Sequence, residues 1–293
     1  MQLSIITPFY HGNQYLGQIS ECIAKSVDEA RQKQPEFDFE WLIINDSPDV
    51  EVDVSLIAEG LREKTKVVVN GKNCGVHKAR IRGFEMAQGE FLLFLDQDDS
   101  IKEGFIRRMA MALERSGADV AVCNSLSEKA DGSYVKLYQS ASDLAMITDL
   151  NVYLKMVNSI QSPGQCLIRR SSIPKSWVQY PMTHNGSDDL FLWILMLAEH
   201  RRFVATGKCY YVHRYTGENI SESVKKLAPS SAEVVQCLAR AGILSDAQLH
   251  ALQRSIAFSC MNHKEKVLAI PKNPDLIYVR AKYAVRRRLS KKL

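Results

Sequence analysis

A short acidic segment carries the strongest chemical signal in the sequence. Asp96, Asp98 and Asp99 place three carboxylates within four residues, directly after the apolar run 90–95. Carboxylates this close repel one another unless a positive group lies beside them, and hard oxygen ligands of this kind suit Mg²⁺ or Mn²⁺. The same pattern is typical of a solvated acidic turn that caps the next helix, because Asp and Ser are good N-cap residues.

A basic segment lies just upstream of the acidic one. Gly75 precedes Lys78, Arg80 and Arg82, and the spacing predicts a helix over 76–87 whose N-terminus favours anions. Taken alone, these residues are typical of a surface helix with ordinary positive charges. Acidic and basic groups gathered at one edge of a sheet together indicate a site for a metal ion and a diphosphate.

The elements that must position these groups alternate between strands and helices. Predicted strands cover residues 3–8, 39–44, 66–69, 90–95 and 119–123, and predicted helices cover 13–31, 54–62, 76–87 and 101–116. This alternation implies a mostly parallel sheet with helices on both faces, in which ligands bind beyond the carboxyl ends of the strands. Tyr10, Asp46 and Asp96 all follow predicted strands at that edge.

The pattern after Asn124 is less regular and ends in a helical region. Predicted strands cover 134–138, 165–169 and 209–213, and predicted helices cover 150–157, 190–198, 232–241, 246–259 and 276–288. We therefore expect an α/β domain that is followed by a C-terminal helical extension.

Four ordered motifs in the first hundred residues form a pattern of their own. They are Ile6-Thr7-Pro8-Phe9-Tyr10, Asn45-Asp46-Ser47-Pro48, the stretch from Asn73 to Arg80 and the stretch from Gly89 to Asp99. In these motifs the sequence resembles the inverting glycosyltransferases of family 2, which have the GT-A fold. The resemblance is strong over residues 3–110 and patchy to about 220. The sequence departs from the family pattern at Asn45 and over 81–83.

The resemblance implies a GT-A domain, which is Rossmann-like with a mostly parallel central sheet and flanking helices. We expect this domain over 1–222, with a nucleotide-sugar-binding half over 1–124 and an acceptor-binding half with the catalytic base over 125–222. Residues 223–293 would form a C-terminal helical region with a basic tail. The implied reaction moves a sugar from a nucleotide-diphospho-sugar, expected to be UDP-linked, to a hydroxyl acceptor with inversion. Family habit suggests synthesis of bacterial surface polysaccharide or lipopolysaccharide, on a saccharide or lipid-linked saccharide acceptor.

The resemblance also implies roles for single residues of the donor site. Residues expected to bind the nucleotide-sugar are Pro8, Tyr10, Asp46, Lys78, Arg80, Asp96 and Gln97. Residues expected to hold Mn²⁺ or Mg²⁺ are Asp98, Asp99 and His213, although His213 is equally well interpreted as a structural histidine. The cation would neutralise the departing diphosphate, a Lewis-acid role worth several kcal/mol.

An inverting transfer also needs a base that takes the proton of the acceptor hydroxyl. The resemblance points to the acid pair Asp188 and Asp189, which precedes an apolar helix, with aspartate in place of the family glutamate at 188. We assign the general base to Asp189, a role worth about 10²–10⁴-fold in rate. The alternative is that the pair serves only as an N-cap of the helix.

Charge is unevenly distributed along the chain. The sequence has 38 Lys and Arg residues against 33 Asp and Glu, a net charge of +5. Ten basic and two acidic residues lie within 264–293, so the remainder is mildly acidic. Apolar residues at near-helical spacing within the tail 280–292 predict a helix on an anionic membrane surface, with a solvated, frayed terminus as the alternative. The tail has no platform of interleaved aromatic residues, which argues against nucleic acid as a partner.

Cysteine usage and hydropathy predict the compartment. The seven cysteines are scattered without a Cys-x-x-Cys pair, which argues against a zinc site and against a disulfide framework. The sequence starts without a basic segment and apolar run of the signal-peptide kind, and no apolar run approaches the ~20 residues that span a bilayer. We therefore expect a cytoplasmic protein that contacts the inner face of the membrane peripherally.

Two other functions stay open at this point. A phosphotransferase of the haloacid-dehalogenase kind also places Asp-x-Asp after a strand, but its nucleophile lies near the chain start, whereas Asp96 follows three predicted strands. A non-catalytic nucleotide-sugar-binding subunit is compatible with Asn45 and Asp188, where the chain departs from the family pattern.

Overall fold

The computed structural model describes residues 2–217 and 224–276. Within them the chain forms two compact units, the first built from 2–136, 160–173 and 201–217 and the second from 137–159, 174–200 and 224–276. The chain passes between the units several times, and the expected domain boundaries at 124 and 222 stay a prediction. The basic tail 280–292 and all but the first residue of the predicted helix 276–288 lie outside the described residues.

The first unit contains a nine-stranded sheet. Its strands are β1 Gln2–Phe9, β2 Asp38–Asn45, β3 Thr65–Val69, β4 Phe91–Phe94, β5 Ser100–Ile101, β6 Val120–Glu128, β7 Tyr134–Lys136, β8 Cys166–Arg169 and β9 Phe203–His213. The strand order is β3-β2-β1-β4-β8-β6-β9-β5, and β7 pairs with β6.

Strand direction divides this sheet into two parts. β3, β2, β1 and β4 are parallel, as the alternation of strands and helices predicts. β8 runs antiparallel to both β4 and β6, β9 is parallel to β6, and β5 is antiparallel to β9. The carboxyl ends of β1, β2 and β4 therefore meet at one edge of the parallel part, which is where the acidic segment lies.

Four helices accompany the sheet in the first unit: α1 Asn13–Lys33, α2 Glu59–Arg62, α3 Val76–Met86 and α4 Phe105–Ser116. α1 and α4 bury apolar stripes in one core cluster with Leu3 and Ile5 of β1. α3 packs on β1 and β2, where a Cβ at Gly83 would lie 2.3 Å from Cγ2 of Ile6, so this close approach needs glycine. The predicted helix 54–62 is instead a 3-10 turn at Val54–Leu56 followed by α2.

The second unit is helical among its described residues. Its helices are α5 Ala141–Ala145, α6 Leu150–Leu154, α7 Lys175–Gln179, α8 Asp188–Ala198, α9 Val224–Ala241, α10 Asp246–Cys260 and α11 His263–Ala269. α8 is apolar on all sides and buries every residue from Leu190 to Met196, because it packs against α6, α7 and α9. None of the described helices combines the length and hydropathy that crossing a bilayer requires.

Candidate active site

The acidic segment forms a tight turn at the end of β4. Nη2 of Arg80 lies 2.5 Å from Oδ1 of Asp96, and only 5% of the Arg80 side chain is exposed. Ser162 donates to Oδ2 of Asp96 at 3.4 Å. Helix α3 thus supplies a buried cation to the first carboxylate of the turn, as the predicted meeting of the basic and acidic segments requires.

Asp99 ties the same turn to the end of β9. Its Oδ2 accepts a hydrogen bond from the hydroxyl of Tyr211, and its Oδ1 accepts from Nδ1 of His213 and from the backbone N–H of Arg214, both at 3.1 Å. Asp99 is 3% exposed, so both oxygens are engaged in a buried network. Burial lowers the pKa of His213, but the charge of Asp99 and its hydrogen bond outweigh this and raise the pKa to about 9. The histidine is therefore cationic at neutral pH and neutralises Asp99.

Asp98 lies between these two carboxylates and is half-buried. Burial raises its pKa to about 7, and the negative charges of Asp99 and Asp96 act in the same direction. A carboxylate in this position is stabilised by a further positive charge.

The acidic turn 96–99 offers carboxylate oxygens that could hold the expected cation. Within 2–217 and 224–276, no three His, Cys, Asp or Glu side chains are arranged to hold a metal ion by themselves. Mg²⁺ and Mn²⁺ in transferase sites are commonly bound by one or two carboxylates together with phosphate oxygens of the substrate. The pKa of Asp98 is raised by burial and by two neighbouring carboxylates. Asp98 therefore suits a cation that is shared with substrate phosphates better than one that only protein ligands hold.

Asp46 organises the loop beyond β3. Its Oδ1 accepts from Nδ2 of Asn70 at 2.7 Å and from the backbone N–H of Cys74 at 2.8 Å, and its Oδ2 accepts from the N–H of Gly75 at 2.8 Å. Gly75 has φ 88°, a conformation that favours glycine, and it is the N-cap of α3. A carboxylate has about four acceptor positions, so three contacts leave room for a ring N–H of a ligand.

Tyr10 follows β1 with half of its surface exposed (51%). Its backbone contacts Gln97 of the acidic turn, 87 residues away in sequence. Pro8 lies within β1, paired in register with Ile44 of β2, and Lys78 is half-buried in the first turn of α3. The structure thus gathers the residues expected to bind the nucleotide-sugar at the edge formed by β1, β2, β4 and α3.

The acid pair at 188 and 189 belongs to the second unit. Both residues lie in the first turn of α8, where the positive end of the helix dipole stabilises negative charge. Asp188 is buried, whereas Asp189 is half-buried. Oδ2 of Asp189 accepts from Nδ2 of Asn158 at 2.7 Å, and Oδ1 accepts from the N–H of Leu190 at the same distance. Of the two, Asp189 is the more accessible carboxylate, and its orientation is fixed by a donor on another segment.

Helix α9 holds the loop that leads into this pair. Glu233 accepts hydrogen bonds from the backbone N–H and the hydroxyl of Thr183 and from the backbone N–H of His184, each at 2.8 Å, and Nδ1 of His184 lies 3.1 Å from it. Ser187, the N-cap residue of α8, exchanges a 2.8 Å hydrogen bond with Ser230 of α9. Helix α9 therefore shapes the start of α8.

Several residues of these networks were not found by sequence reasoning: Asn70, Asn158, Ser162, Tyr211 and Glu233. Each contacts a predicted site residue or its loop from a distant part of the chain. Only Tyr211 carried a signal, because it shares a predicted strand with His213 two positions later, on the same face of the sheet.

The decisive comparison is with protein-family models. The model described as "Glycosyl transferase family 2" matches residues 4–177, which include the loops after β1, β2 and β4. The chain belongs to glycosyl transferase family 2. Membership removes the haloacid-dehalogenase alternative.

Similar proteins agree with membership of family 2. The poly(ribitol-phosphate) beta-N-acetylglucosaminyltransferase TarS of Staphylococcus aureus is 24% identical over 230 residues, which cover 76% of this chain and 37% of TarS. The "Putative teichuronic acid biosynthesis glycosyltransferase TuaG" of Bacillus subtilis is 26% identical over 228 residues, which cover 77% of this chain and 84% of TuaG. The family 2 chain thus spans little more than a third of TarS but most of TuaG.

Solved structures establish the fold. The crystal structure of S. aureus TarS 1–349 in complex with UDP-GlcNAc has a TM-score of 0.61 and 18% identity, and the match covers 95% of this chain and 81% of that one. The complex of the same TarS fragment with UDP has a TM-score of 0.56. The expected GT-A fold is thereby confirmed for this family 2 chain.

Proposed function

We propose that this family 2 glycosyltransferase transfers a sugar from a UDP-sugar to a hydroxyl group of a saccharide or lipid-linked saccharide, in the synthesis of a bacterial cell-surface polysaccharide. The observation that carries the proposal is the set of strand-end groups around the acidic turn 96–99, assembled at the ligand-binding edge of a family 2 sheet. TarS complexes with UDP-GlcNAc and UDP support the choice of nucleotide, and TarS and TuaG support the choice of process.

The donor would lie against the loops after β1, β2 and β4. Tyr10 offers an exposed ring on which a nucleobase stacks, and Asp46 accepts a ring N–H while it holds the loop that precedes α3. Arg80 and Lys78 place positive charge beside the diphosphate, and Asp96 orients Arg80 through their 2.5 Å contact. These side chains bind and orient the donor.

A divalent cation, Mn²⁺ or Mg²⁺, would be held by Asp98 together with diphosphate oxygens, and when bound it neutralises the charge of the leaving group. Asp99 and His213, which the sequence also suggested as ligands, are bonded to each other in the structure. Their part in metal binding stays a prediction. The network that they form with Tyr211 fixes the turn on which Asp98 lies.

Asp189 is the proposed general base. Its carboxylate would accept the proton of the acceptor hydroxyl as the new glycosidic bond forms and the bond to UDP breaks, on the face of the sugar opposite the leaving group. Attack from that face inverts the configuration at the anomeric carbon. Membrane contact through the tail 280–292 and a cytoplasmic location stay predictions.

The proposal is tested with a donor screen. Purified protein is incubated with UDP-, GDP- and dTDP-sugars and a panel of saccharide acceptors, with Mn²⁺ or with EDTA, and released nucleotide is measured. We expect UDP release that requires acceptor and Mn²⁺. We also expect inverted configuration at the anomeric carbon of the product, read from the NMR signal of its anomeric proton. Binding of UDP without any transfer or hydrolysis would instead support the non-catalytic subunit, and release of GDP or dTDP alone would contradict the choice of donor.

A further inference from the structure

The side-chain amide of Gln97 contacts a single residue from both ends. Its Oε1 accepts from the backbone N–H of Tyr10 at 2.9 Å, and its Nε2 donates to the backbone carbonyl of Tyr10 at 3.0 Å. The amide therefore pairs with the Tyr10 backbone as a neighbouring strand would. Sequence reasoning assigned Gln97 to the nucleotide, but in the structure both of its polar atoms point at the loop after β1.

Gly12 leaves the space that this pairing requires. A Cβ at position 12 would lie 2.2 Å from Oε1 and 2.6 Å from Cδ of Gln97, well inside any real contact distance. The backbone of Gly12 has φ −101° and ψ 12°, which non-glycine residues adopt readily. Glycine is therefore needed here because of the Gln97 side chain and not because of the local backbone.

The loop between Tyr10 and Gly12 is strained and is held from a second side. His11 has φ 46°, a left-handed conformation that costs free energy in a non-glycine residue and persists only where its surroundings fix it. Its N–H donates to Oγ of Ser47 at 3.0 Å, beyond β2. Its ring meets the Tyr10 ring edge-to-face, with centroids 4.4 Å apart. Without these anchors the loop would relax and the exposed Tyr10 ring would lose its place.

We propose that Gln97 is a positioning residue, which holds the Tyr10 loop in the shape that binds the nucleotide and does not itself contact the nucleotide. The identity of the ligand rests on the proposed function, whereas the clamp between Gln97, Tyr10 and Gly12 does not. The hydrogen bonds from Gln97 would then couple the acidic turn to the loop after β1, so that a substitution of Gln97 changes the position of Tyr10.

A double-mutant cycle tests this role. The variants are Gln97→Ala, Gly12→Ala and the two combined, with the exposed Gln32→Ala on α1 as a matched control. The affinity for UDP in the presence of Mn²⁺ is measured by calorimetry, hydrogen exchange of the Tyr10 amide by NMR, and global stability by thermal unfolding. Loss of two hydrogen bonds predicts that Gln97→Ala weakens UDP binding about tenfold and speeds exchange of the Tyr10 amide about tenfold. Its melting temperature should stay close to that of the control.

The combination of variants distinguishes a clamp from independent effects. Gly12→Ala should mimic Gln97→Ala by displacing the amide, and the combined variant should be no worse than either single one, because the space is then empty. Additive losses, or unchanged Tyr10 exchange in Gln97→Ala, would overturn the inference. So would unchanged UDP affinity in that variant where the wild type binds UDP. If the wild type binds no UDP but Tyr10 exchange follows the cycle, the clamp is supported and the proposed donor is wrong.

Discussion

Asp98 and Asp99 follow a strand, whereas Asp188 and Asp189 begin a helix. In each pair one carboxylate is buried and the other half-buried: Asp99 and Asp188 are each 3% exposed, and Asp98 and Asp189 are more accessible. The surroundings differ in sign. Burial and the charges of Asp99 and Asp96 raise the pKa of Asp98, while a helix N-terminus and the Asn158 amide meet Asp189 with positive ends of dipoles.

This difference separates the chemistry that each pair supports. A carboxylate crowded by other carboxylates gains most from a cation, so Asp98 suits a metal bound together with a diphosphate. Asp189 instead lies against N–H donors, as the proposed role of proton acceptor requires. Under the proposed function, the Asp98 pair would therefore serve leaving-group stabilisation and the Asp189 pair proton removal.

The largest effect is expected from a substitution of Asp189. Replacement Asp189→Asn keeps the size of the side chain and can still accept from the N–H of Leu190, but it removes the proton acceptor. We expect kcat to fall about 10²–10⁴-fold with little change in the KM for the donor, measured by steady-state release of UDP. The matched control is Asp149→Asn, which alters the exposed cap of α6 in the same unit and should leave kcat unchanged. Retention of more than a tenth of kcat in Asp189→Asn would mean that another group takes the proton.

A substitution of Asp98 should weaken UDP binding, whereas a substitution of Asp189 should lower kcat. We expect Asp98→Asn to weaken UDP binding about 10–100-fold in the presence of Mn²⁺, the effect of losing one charged contact, and to have little effect in EDTA. Calorimetry with and without the metal measures both. Asp131→Asn, on an exposed turn of the first unit, is the control. Equal weakening with and without Mn²⁺ would contradict a role for Asp98 in holding the cation.

Local patterns predicted the frame of the donor site but not the contacts that complete it. Short apolar runs that end in Pro8, Asn45 or Asp96 mark strands and their ends, so the edge could be predicted. The bonds from Tyr211 to Asp99 and from Gln97 to Tyr10 join residues 112 and 87 positions apart. Periodicity is a local signal and carries no information on such pairs.

Two elements after residue 200 were predicted less completely for a related reason. The sequence suggested a helix from 232, whereas α9 begins at Val224 and contains Pro229, a residue that normally argues against a helix interior. Strand β9 starts at Phe203, six residues before its predicted start, because Gly207 and Lys208 interrupt the apolar pattern. In both cases tertiary packing outweighs local propensity.

A substitution of Glu233 tests how strongly helix α9 stabilises the loop before Asp188. We expect Glu233→Gln to lower the free energy of unfolding by about 1–3 kcal/mol at pH 7, since hydrogen bonds to a charged acceptor are lost. Urea unfolding is followed by tryptophan fluorescence, to which Trp177 and Trp193 contribute from this unit and Trp41 from the first unit. The control is Glu265→Gln at the exposed start of α11, where glutamine also caps.

The contribution of Glu233 should also depend on pH. Burial raises its pKa, but hydrogen bonds from His184 and Thr183 outweigh burial and lower it below the usual value. A carboxyl whose pKa is lower in the folded state stabilises the protein above its unfolded pKa, about 4.3, and loses this effect as the pH falls through the folded value. The difference between wild type and Glu233→Gln should therefore shrink as the pH falls below about 5, where the Glu233 carboxylate becomes protonated. A difference that grows below pH 5 would contradict this assignment.

The smallest effect on kcat is expected from a substitution of Asn158, which donates to Asp189. Asn158→Ala removes the 2.7 Å hydrogen bond that orients the proposed base, and we expect kcat to fall about three- to tenfold, with the KM for the donor unchanged. Asn151→Ala, exposed on α6, is the matched control. If Asn158 acts only through Asp189, then adding Asn158→Ala to Asp189→Asn costs nothing further in kcat, because residues that act as a unit are not additive. A further loss in the double variant would instead show that Asn158 contributes to turnover by a route of its own.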